Sequence, residues 1–318
     1  MKKIVVLDAI TLGNVDFDKL KEFGEVILYD KTKVEDVEER IKDASIILTN
    51  KVVLNKDNLK DAEKLEIICE TATGFNNIDV EYAKSKNIAV TNVAGYSTPT
   101  VAQHTFATIL HLYDKIGYYD EFVKSGEYSK SGMFTNLDRP FNDIEGKTWG
   151  IIGLGNIGKR VAKIAEAFGA KVVYYSTSGK NNNLEYKRVE LDELLSESDI
   201  ISIHSPLNKN TEGLFNYDNL KKMKKTSVII NMGRGPIVVE EDLAKAIDEN
   251  IISGAALDVF SVEPMPENSP LLKIKNKEKI VMTPHIAWAS IEARERLFND
   301  LIENIKAFYK GERRNRVE

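Results

Sequence analysis

Three side chains able to do acid–base or anion-binding chemistry follow successive apolar runs late in the chain. They are Arg234 in NMGRGP, Glu263 in DVFSVEP and His285 in TPHIAW. A histidine titrates near neutrality, and a carboxylate behind it fixes its tautomer and raises its basicity. A guanidinium suits bidentate grip on a carboxylate and steadies charge growing on a neighbouring carbonyl oxygen. Together they meet the needs of gripping an anionic group and delivering a proton to a neighbouring carbonyl oxygen. The glycines flanking Arg234 are expected to let the backbone bend sharply and expose the one large side chain between them. Of the four histidines, His104 and His111 stand seven residues apart on one helical face and read as structural or surface side chains. His204 closes an apolar run but has no carboxylate near it in sequence. His285, stiffened by Pro284, is the best candidate for the proton donor.

The most specific local pattern is WGIIGLGNIGKRVA, in which Gly153, Gly155 and Gly158 follow an apolar strand and open an amphipathic helix. Strand, glycine turn, helix and a second strand at 171–175 give the context of a dinucleotide-binding fingerprint. Gly153 serves the tight turn, Gly155 the approach of a pyrophosphate, and Gly158 close helix–strand packing. The helix N-terminus supplies amide donors to the anion. The glycines alone would also suit a methyltransferase-type nucleotide loop. The second strand ends YYSTSGK, with no acid to hold a ribose diol. Ser176, Thr177, Ser178 and Lys180 there carry two readings. Either the hydroxyls and lysine accept the 2′-phosphate of NADP, or Ser176 bonds the ribose of NAD while Lys180 is solvated.

These residues need elements to hold them. Short Ile/Val-rich runs at 3–7, 25–28, 44–49, 65–70 and 88–91 alternate with helical spacing such as Val34, Val37 and Ile41. A second series of runs falls at 148–152, 171–175, 200–204, 227–231, 254–259 and 279–283. This rhythm predicts α/β architecture with parallel sheets covered on both faces. Between the series, Ser97-Thr98-Pro99 starts a helix, predicted to run unbroken to about Ser125 with Ala102, Phe106, Ile109, Tyr113 and Ile116 on one face. A last amphipathic helix is predicted over 290–309, followed by a charged, frayed tail, GERRNRVE. Arg234, Glu263 and His285 thus lie at the carboxyl ends of three successive strands, where ligand residues of such sheets gather.

Composition narrows the class. The 318 residues are 42% hydrophobic and 29% charged, as in an ordinary two-domain globular chain. A single cysteine, Cys69, excludes an internal disulfide framework and a Cys-x-x-Cys pair. A net charge of −5 argues against non-specific nucleic-acid or anionic-lipid binding. No apolar run is long enough to span a bilayer, and MKKIVVLDAITLG reads as a first strand and not a signal peptide. The expectation is a cytoplasmic protein, with no metal and no membrane or nucleic-acid partner.

The chain resembles the D-isomer-specific 2-hydroxyacid dehydrogenase family over nearly its whole length. The stretches that carry the likeness are ATGFNNID (72–79), the Gly153 turn, SDIISIHSPL (198–207), NMGRGP (231–236), GAALDVF (254–260) and TPHI (283–286). The resemblance implies two doubly wound parallel-sheet domains. A Rossmann nucleotide domain, 99–286, would be inserted in a flavodoxin-like substrate domain, 1–98 and 287–318. It implies Arg234 for substrate binding and carbonyl polarisation, His285 as acid–base, and Glu263 as its orienting partner. Backbone amides near Thr73 and Gly74 would hold the substrate carboxylate. Asp258 would bond the nicotinamide carboxamide, with Thr100 near the ring. Asn156, Ile157, Ser176, Thr177, His204 and Pro206 complete the expected cofactor contacts. Trp288 resembles the glycerate dehydrogenase (hydroxypyruvate reductase) branch and would wall the substrate pocket. From position alone, Asn50, Lys51, Leu54 and Phe134 are further pocket candidates. Gln103 stands where many members carry glutamate. The implied activity is NAD- or NADP-dependent reduction of a small 2-oxo acid, hydroxypyruvate or glyoxylate first, by a homodimer. A larger branched or aromatic 2-oxo acid is the alternative, and a non-catalytic nicotinamide-sensing protein like the co-repressors of this fold is the alternative of another class.

Overall fold

The computed structural model describes residues 1–318. The chain divides into two compact units, Met1–Ser97 with Ala289–Glu318, and Thr98–Trp288. Both are built on wholly parallel sheets, as the alternation of runs and helices predicts.

The first unit has five strands, β1 (Lys3–Val6), β2 (Glu25–Leu28), β3 (Ile46–Thr49), β4 (Ile67–Glu70) and β5 (Ala89–Thr91), ordered β2-β1-β3-β4-β5. Strands β3, β4 and β5 are buried at every residue, hence their unbroken apolar runs. Val5, Ile47 and Ile68 meet Val37 and Ile41 of the short helix Val37–Ile41 in one core, whereas Val34, expected on that face, is 81% exposed. Leu54 belongs to this core too and is fully buried, so it lines no pocket. The closing helix, Ile291–Tyr309, is capped by Ser290, whose hydroxyl accepts the Ala293 amide.

The tail does not fray. Arg316 bridges antiparallel to Thr91, the Val317 amide donates to the Val90 carbonyl, and the Val90 amide donates to the Glu318 carboxylate. Arg314 pairs with Asp300 at 2.9 Å. The free edge of β5 presents unpaired backbone groups, and the last residues satisfy them.

The second unit has seven strands. They are β6 (Thr148–Ile152), β7 (Lys171–Tyr175), β8 (Lys187–Arg188), β9 (Ile200–Ile203), β10 (Val228–Asn231), β11 (Gly254–Leu257) and β12 (Ile280–Met282). Their order is β12-β11-β10-β9-β6-β7-β8. Two-residue β8 is too short and polar to show in the sequence. Alternate residues feed two cores. Ile151, Val228 and Ile230 face one side, and Ile152, Ile229 and Leu257 the other. A fully buried isoleucine such as Ile229 or Ile230 contributes roughly 1.5–3 kcal/mol.

The long helix is broken. It runs Thr98–Tyr113, Lys115 takes a left-handed conformation with φ of 55°, and separate helices follow at Ile116–Lys124 and Glu127–Ser131. Ile116 is 48% exposed, so the apolar face ends with Tyr113. Beyond it an apolar surface opens, with Met133, Phe134 and Leu137 all more than half exposed.

Candidate functional site

Each glycine of the 153–158 turn has its own steric reason. Gly153 has φ of +90°, and its amide donates to the Tyr175 carbonyl at 3.1 Å. A Cβ on Gly158 would stand 2.4 Å from the Gly153 carbonyl oxygen, so only glycine lets the helix Asn156–Ala167 start so close to the turn. A Cβ on Gly155, the N-cap of that helix, would meet nothing within 4 Å. The turn is therefore closed on its protein side and open above Gly155, a cradle that fits a pyrophosphate. Beside it, the Ser205 hydroxyl and both ring nitrogens of His204 are enclosed without a hydrogen-bond partner, polar atoms suited to a polar ligand. Burial pushes His204 down to about 3, so its imidazole is neutral. Pro206, next in the chain, is exposed.

After β7, Ser176 is only 4% exposed and its hydroxyl accepts the Asn181 amide at 3.2 Å. Asn181 also donates from its side chain to the Leu154 carbonyl at 2.7 Å, tying this loop to the glycine turn. Thr177 and Lys180 face outward more fully. Arg188, which sequence reading passed over, bonds the Gly179 carbonyl at 3.1 Å and Asn182 Oδ1 at 2.8 Å, adding a guanidinium to the loop. Its strand is two residues long and its partners lie on another loop, so no spacing announces it.

The expected acid–base residues, His285 and Glu263, meet in this unit. His285 Nδ1 and Glu263 Oε2 are 2.7 Å apart, both partly exposed. Glu263 is anchored by its other oxygen, which accepts the Phe260 amide at 3.0 Å. Arg234 projects from the end of β10 with its side chain exposed. Its turn is held by Asn231, whose Oδ1 accepts the Gly233 amide and whose Nδ2 donates to the Arg234 carbonyl. The flanking glycines serve close approach and not a sharp bend, since neither has positive φ. A Cβ on Gly235 would lie 2.0 Å from the Phe260 carbonyl carbon, so the Arg234 turn and the segment leading to Glu263 are packed backbone on backbone.

His285 itself has φ of +55°, a left-handed conformation that costs a non-glycine residue about 1–2 kcal/mol. Asp258, at the end of β11, holds it there. The Asp258 carbonyl accepts the His285 amide at 2.8 Å, and its carboxylate accepts the Ile286 and Ala287 amides at 2.9 and 2.8 Å. Both carboxylate oxygens thus grip the turn. Thr100 lies in the first turn of helix Thr98–Tyr113, and Trp288 follows the His285 turn, each partly exposed.

In the first unit Thr73 is exposed, its hydroxyl bonded to the Val93 carbonyl at 2.9 Å and its own carbonyl to Asn92 at 2.7 Å. Gly74 follows it, partly exposed. Nearby, the carboxyl ends of β1 and β4 carry buried acids. Asp8 accepts the Asn50 and Lys51 amides, and Glu70 accepts from Asn77 at 3.0 Å while its other oxygen has no partner. Burial, with Asp8 adding to it, pushes Glu70 up to about 9. Asn50 is therefore a buried member of this cluster, whereas Lys51 is exposed.

A seven-stranded parallel sheet with a glycine-turn cradle, and a His–Glu pair and an arginine at its strand ends, defines a nucleotide-dependent oxidoreductase of the doubly wound class. The family model described as D-isomer specific 2-hydroxyacid dehydrogenase, NAD binding domain, matches residues 106–287. The chain is 40% identical over 318 residues to a hydroxypyruvate reductase from Blautia hydrogenotrophica, covering 97% of each. Among solved structures it superposes with TM-score 0.83 on a D-lactate dehydrogenase from Aquifex aeolicus complexed with NAD and lactic acid, at 29% identity and covering 98% and 96% of the two chains. An NADPH-dependent glyoxylate/hydroxypyruvate reductase from Sinorhizobium meliloti gives TM-score 0.85 at 27% identity, covering 100% and 98%. The chain belongs to the D-isomer specific 2-hydroxyacid dehydrogenase family. Its cofactor is accordingly a nicotinamide dinucleotide.

Proposed function

We propose that this chain reduces small 2-oxo acids, hydroxypyruvate and glyoxylate first, to D-glycerate and glycolate. The observation that carries the reading is the His285–Glu263 pair at 2.7 Å in the same unit as the exposed Arg234. The similarity to a hydroxypyruvate reductase over 97% of the chain selects the substrate class.

Arg234 grips the substrate carboxylate and steadies the negative charge that grows on the C2 oxygen. Protonated His285 donates to that oxygen as the alkoxide forms, and Glu263 keeps the imidazole oriented through Nδ1. A reduced nicotinamide supplies the hydride to C2 when bound. Gly153, Gly155, Asn156, Ile157 and Gly158 would hold its pyrophosphate, and Thr100, Ser176, Thr177, His204, Pro206 and Asp258 are assigned to the rest of it. The backbone around Thr73 and Gly74, with Trp288, is assigned to the substrate. The unit Thr98–Trp288 acts as the nucleotide domain, and the first unit as the substrate domain.

Three finer points belong to the same reading. Lys180 and Arg188, with no carboxylate at the end of β7, favour acceptance of NADPH alongside NADH. The exposed Met133, Phe134 and Leu137 favour a homodimer with this stretch at the interface. The lone, buried thiol of Cys69 suits a cytoplasmic enzyme.

The test follows loss of reduced-nicotinamide absorbance with NADH and NADPH in parallel. Hydroxypyruvate, glyoxylate, pyruvate, 2-oxoisocaproate and phenylpyruvate are each supplied. Fastest turnover with hydroxypyruvate or glyoxylate is expected. A preference for a bulky acid would move the pocket assignment, and silence with intact NADH binding would overturn the enzymatic reading.

A further inference from the structure

Asp258 is 1% exposed and holds the His285 turn, but it is itself held by a third contact. The Thr283 hydroxyl lies 2.6 Å from Asp258 Oδ1 and donates to it. On the other side of that hydroxyl, 2.9 Å away, is His104 Nε2, from the helix Thr98–Tyr113. A hydroxyl has one proton, and here Asp258 receives it, so the His104 contact runs the other way: Nε2–H donates to Thr283 Oγ1. The tautomer of His104 is thereby fixed with its proton on Nε2. His104 Nε2 is also 3.6 Å from Asp258 Oδ1, and its side chain is 19% exposed.

The donors run in one direction, from His104 through Thr283 to the Asp258 carboxylate, which also accepts the Ile286 and Ala287 amides, while the Asp258 backbone carbonyl accepts the His285 amide. A left-handed histidine backbone persists only where its surroundings over-determine it. The helix carrying His104 packs on β11 and β12, the strands that lead directly into Asp258 and Thr283.

We propose that His104 is a positioning residue. Its Nε2–H, relayed by the Thr283 hydroxyl, orients the Asp258 carboxylate and so holds the His285 imidazole against Glu263. The role rests on the reading of His285 as the proton donor. A misplaced acid–base group lowers the rate of the chemical step without touching distant binding groups.

The test uses two pairs of variants of the full chain, Thr283→Val against Thr283→Ser, and His104→Phe against His104→Gln. Valine and phenylalanine fill the space without the hydrogen bond, whereas serine keeps the hydroxyl and glutamine an N–H donor. With whichever 2-oxo acid the wild type reduces, kcat is expected to fall roughly tenfold to hundredfold in the first member of each pair. NADH affinity, read by fluorescence titration, should change less than kcat, Asp258 being assigned to the cofactor as well, and serine or glutamine should restore kcat to within about threefold. The second readout needs no turnover. Histidine-selective ¹⁵N labelling gives four ring systems, and long-range ¹H–¹⁵N spectra should show His104 protonated at Nε2. In Thr283→Val the His285 ring signals should move, and in Thr283→Ser they should not. An unchanged His285 spectrum in both valine and phenylalanine variants would overturn the proposal, as would equal losses in Thr283→Val and Thr283→Ser. A wild type inactive on every 2-oxo acid would sink the functional reading alone, leaving the spectra to decide the positioning.

Discussion

His285 Nδ1 sits 2.7 Å from Glu263 Oε2, and the two residues come from segments that follow different strands, β12 and β11. Because Glu263 is itself fixed by the Phe260 amide, the imidazole has one orientation available. On the proposed function, its Nε2 is the edge offered to substrate.

His285→Ala should therefore cut kcat by about 10²–10⁴ while leaving NADH affinity nearly intact. Steady-state kinetics beside fluorescence titration check this, and an unchanged rate would remove His285 from the chemistry.

Gly235→Ala is expected to be among the most damaging single-methyl changes in the chain. The added carbon would meet backbone 2.0 Å away at Phe260, where no side chain can swing aside. Overpacking of this kind costs roughly 1–3 kcal/mol or more. Urea unfolding should show it, and activity should fall further than stability because the Glu263 segment is displaced.

Glu70 makes stability depend on pH. Its folded value is raised from an ordinary 4.5 to about 9, mainly by burial. Between those values the native state keeps a proton that the unfolded chain releases, so unfolding free energy falls as pH rises. The stabilisation is complete below about 4.5 and lost through about 9. The slope from this group is at most about 1.4 kcal/mol per pH unit. Glu70→Gln should flatten the decline, gaining on the wild type toward alkaline pH. Parallel stability curves for the two proteins would contradict the assignment.

Cofactor choice should respond to the loop after β7. Arg188→Ala, alone or with Lys180→Ala, is expected to weaken NADPH by roughly tenfold and NADH little, since a charge-assisted phosphate contact is lost. Equal effects on the two cofactors would mean that Arg188 only braces the loop through Gly179 and Asn182.

If Phe134 and Leu137 are covered by a second copy, replacing both with aspartate should convert the dimer to monomer in sedimentation equilibrium. Burying two such charges without partners is prohibitive. A wild type that sediments as a monomer at micromolar concentration would end that reading.

The sequence by itself determined the two parallel α/β sheets, the glycine turn and the positions of Arg234, Glu263 and His285 beyond three strand ends. Each is signalled locally: by strand-length apolar runs, by glycines at fixed spacing, or by reactive residues just past a strand. It did not disclose that the connecting helix stops at Tyr113. A lysine in left-handed conformation breaks it, and lysine carries no such mark. Nor did it disclose that the charged tail closes the β5 edge, because an edge exists only once the sheet is ordered.

Tertiary structure alone decided what the glycines beside Arg234 are for, and what His104 touches. Gly235 answers to the backbone of Phe260, and His104 to a hydroxyl 179 positions away. Helical and strand periods report which face of an element is buried, but not which residue of another element it meets. That pairing is fixed by how the sheet orders its strands, and the hydrogen bonds at the site follow from it.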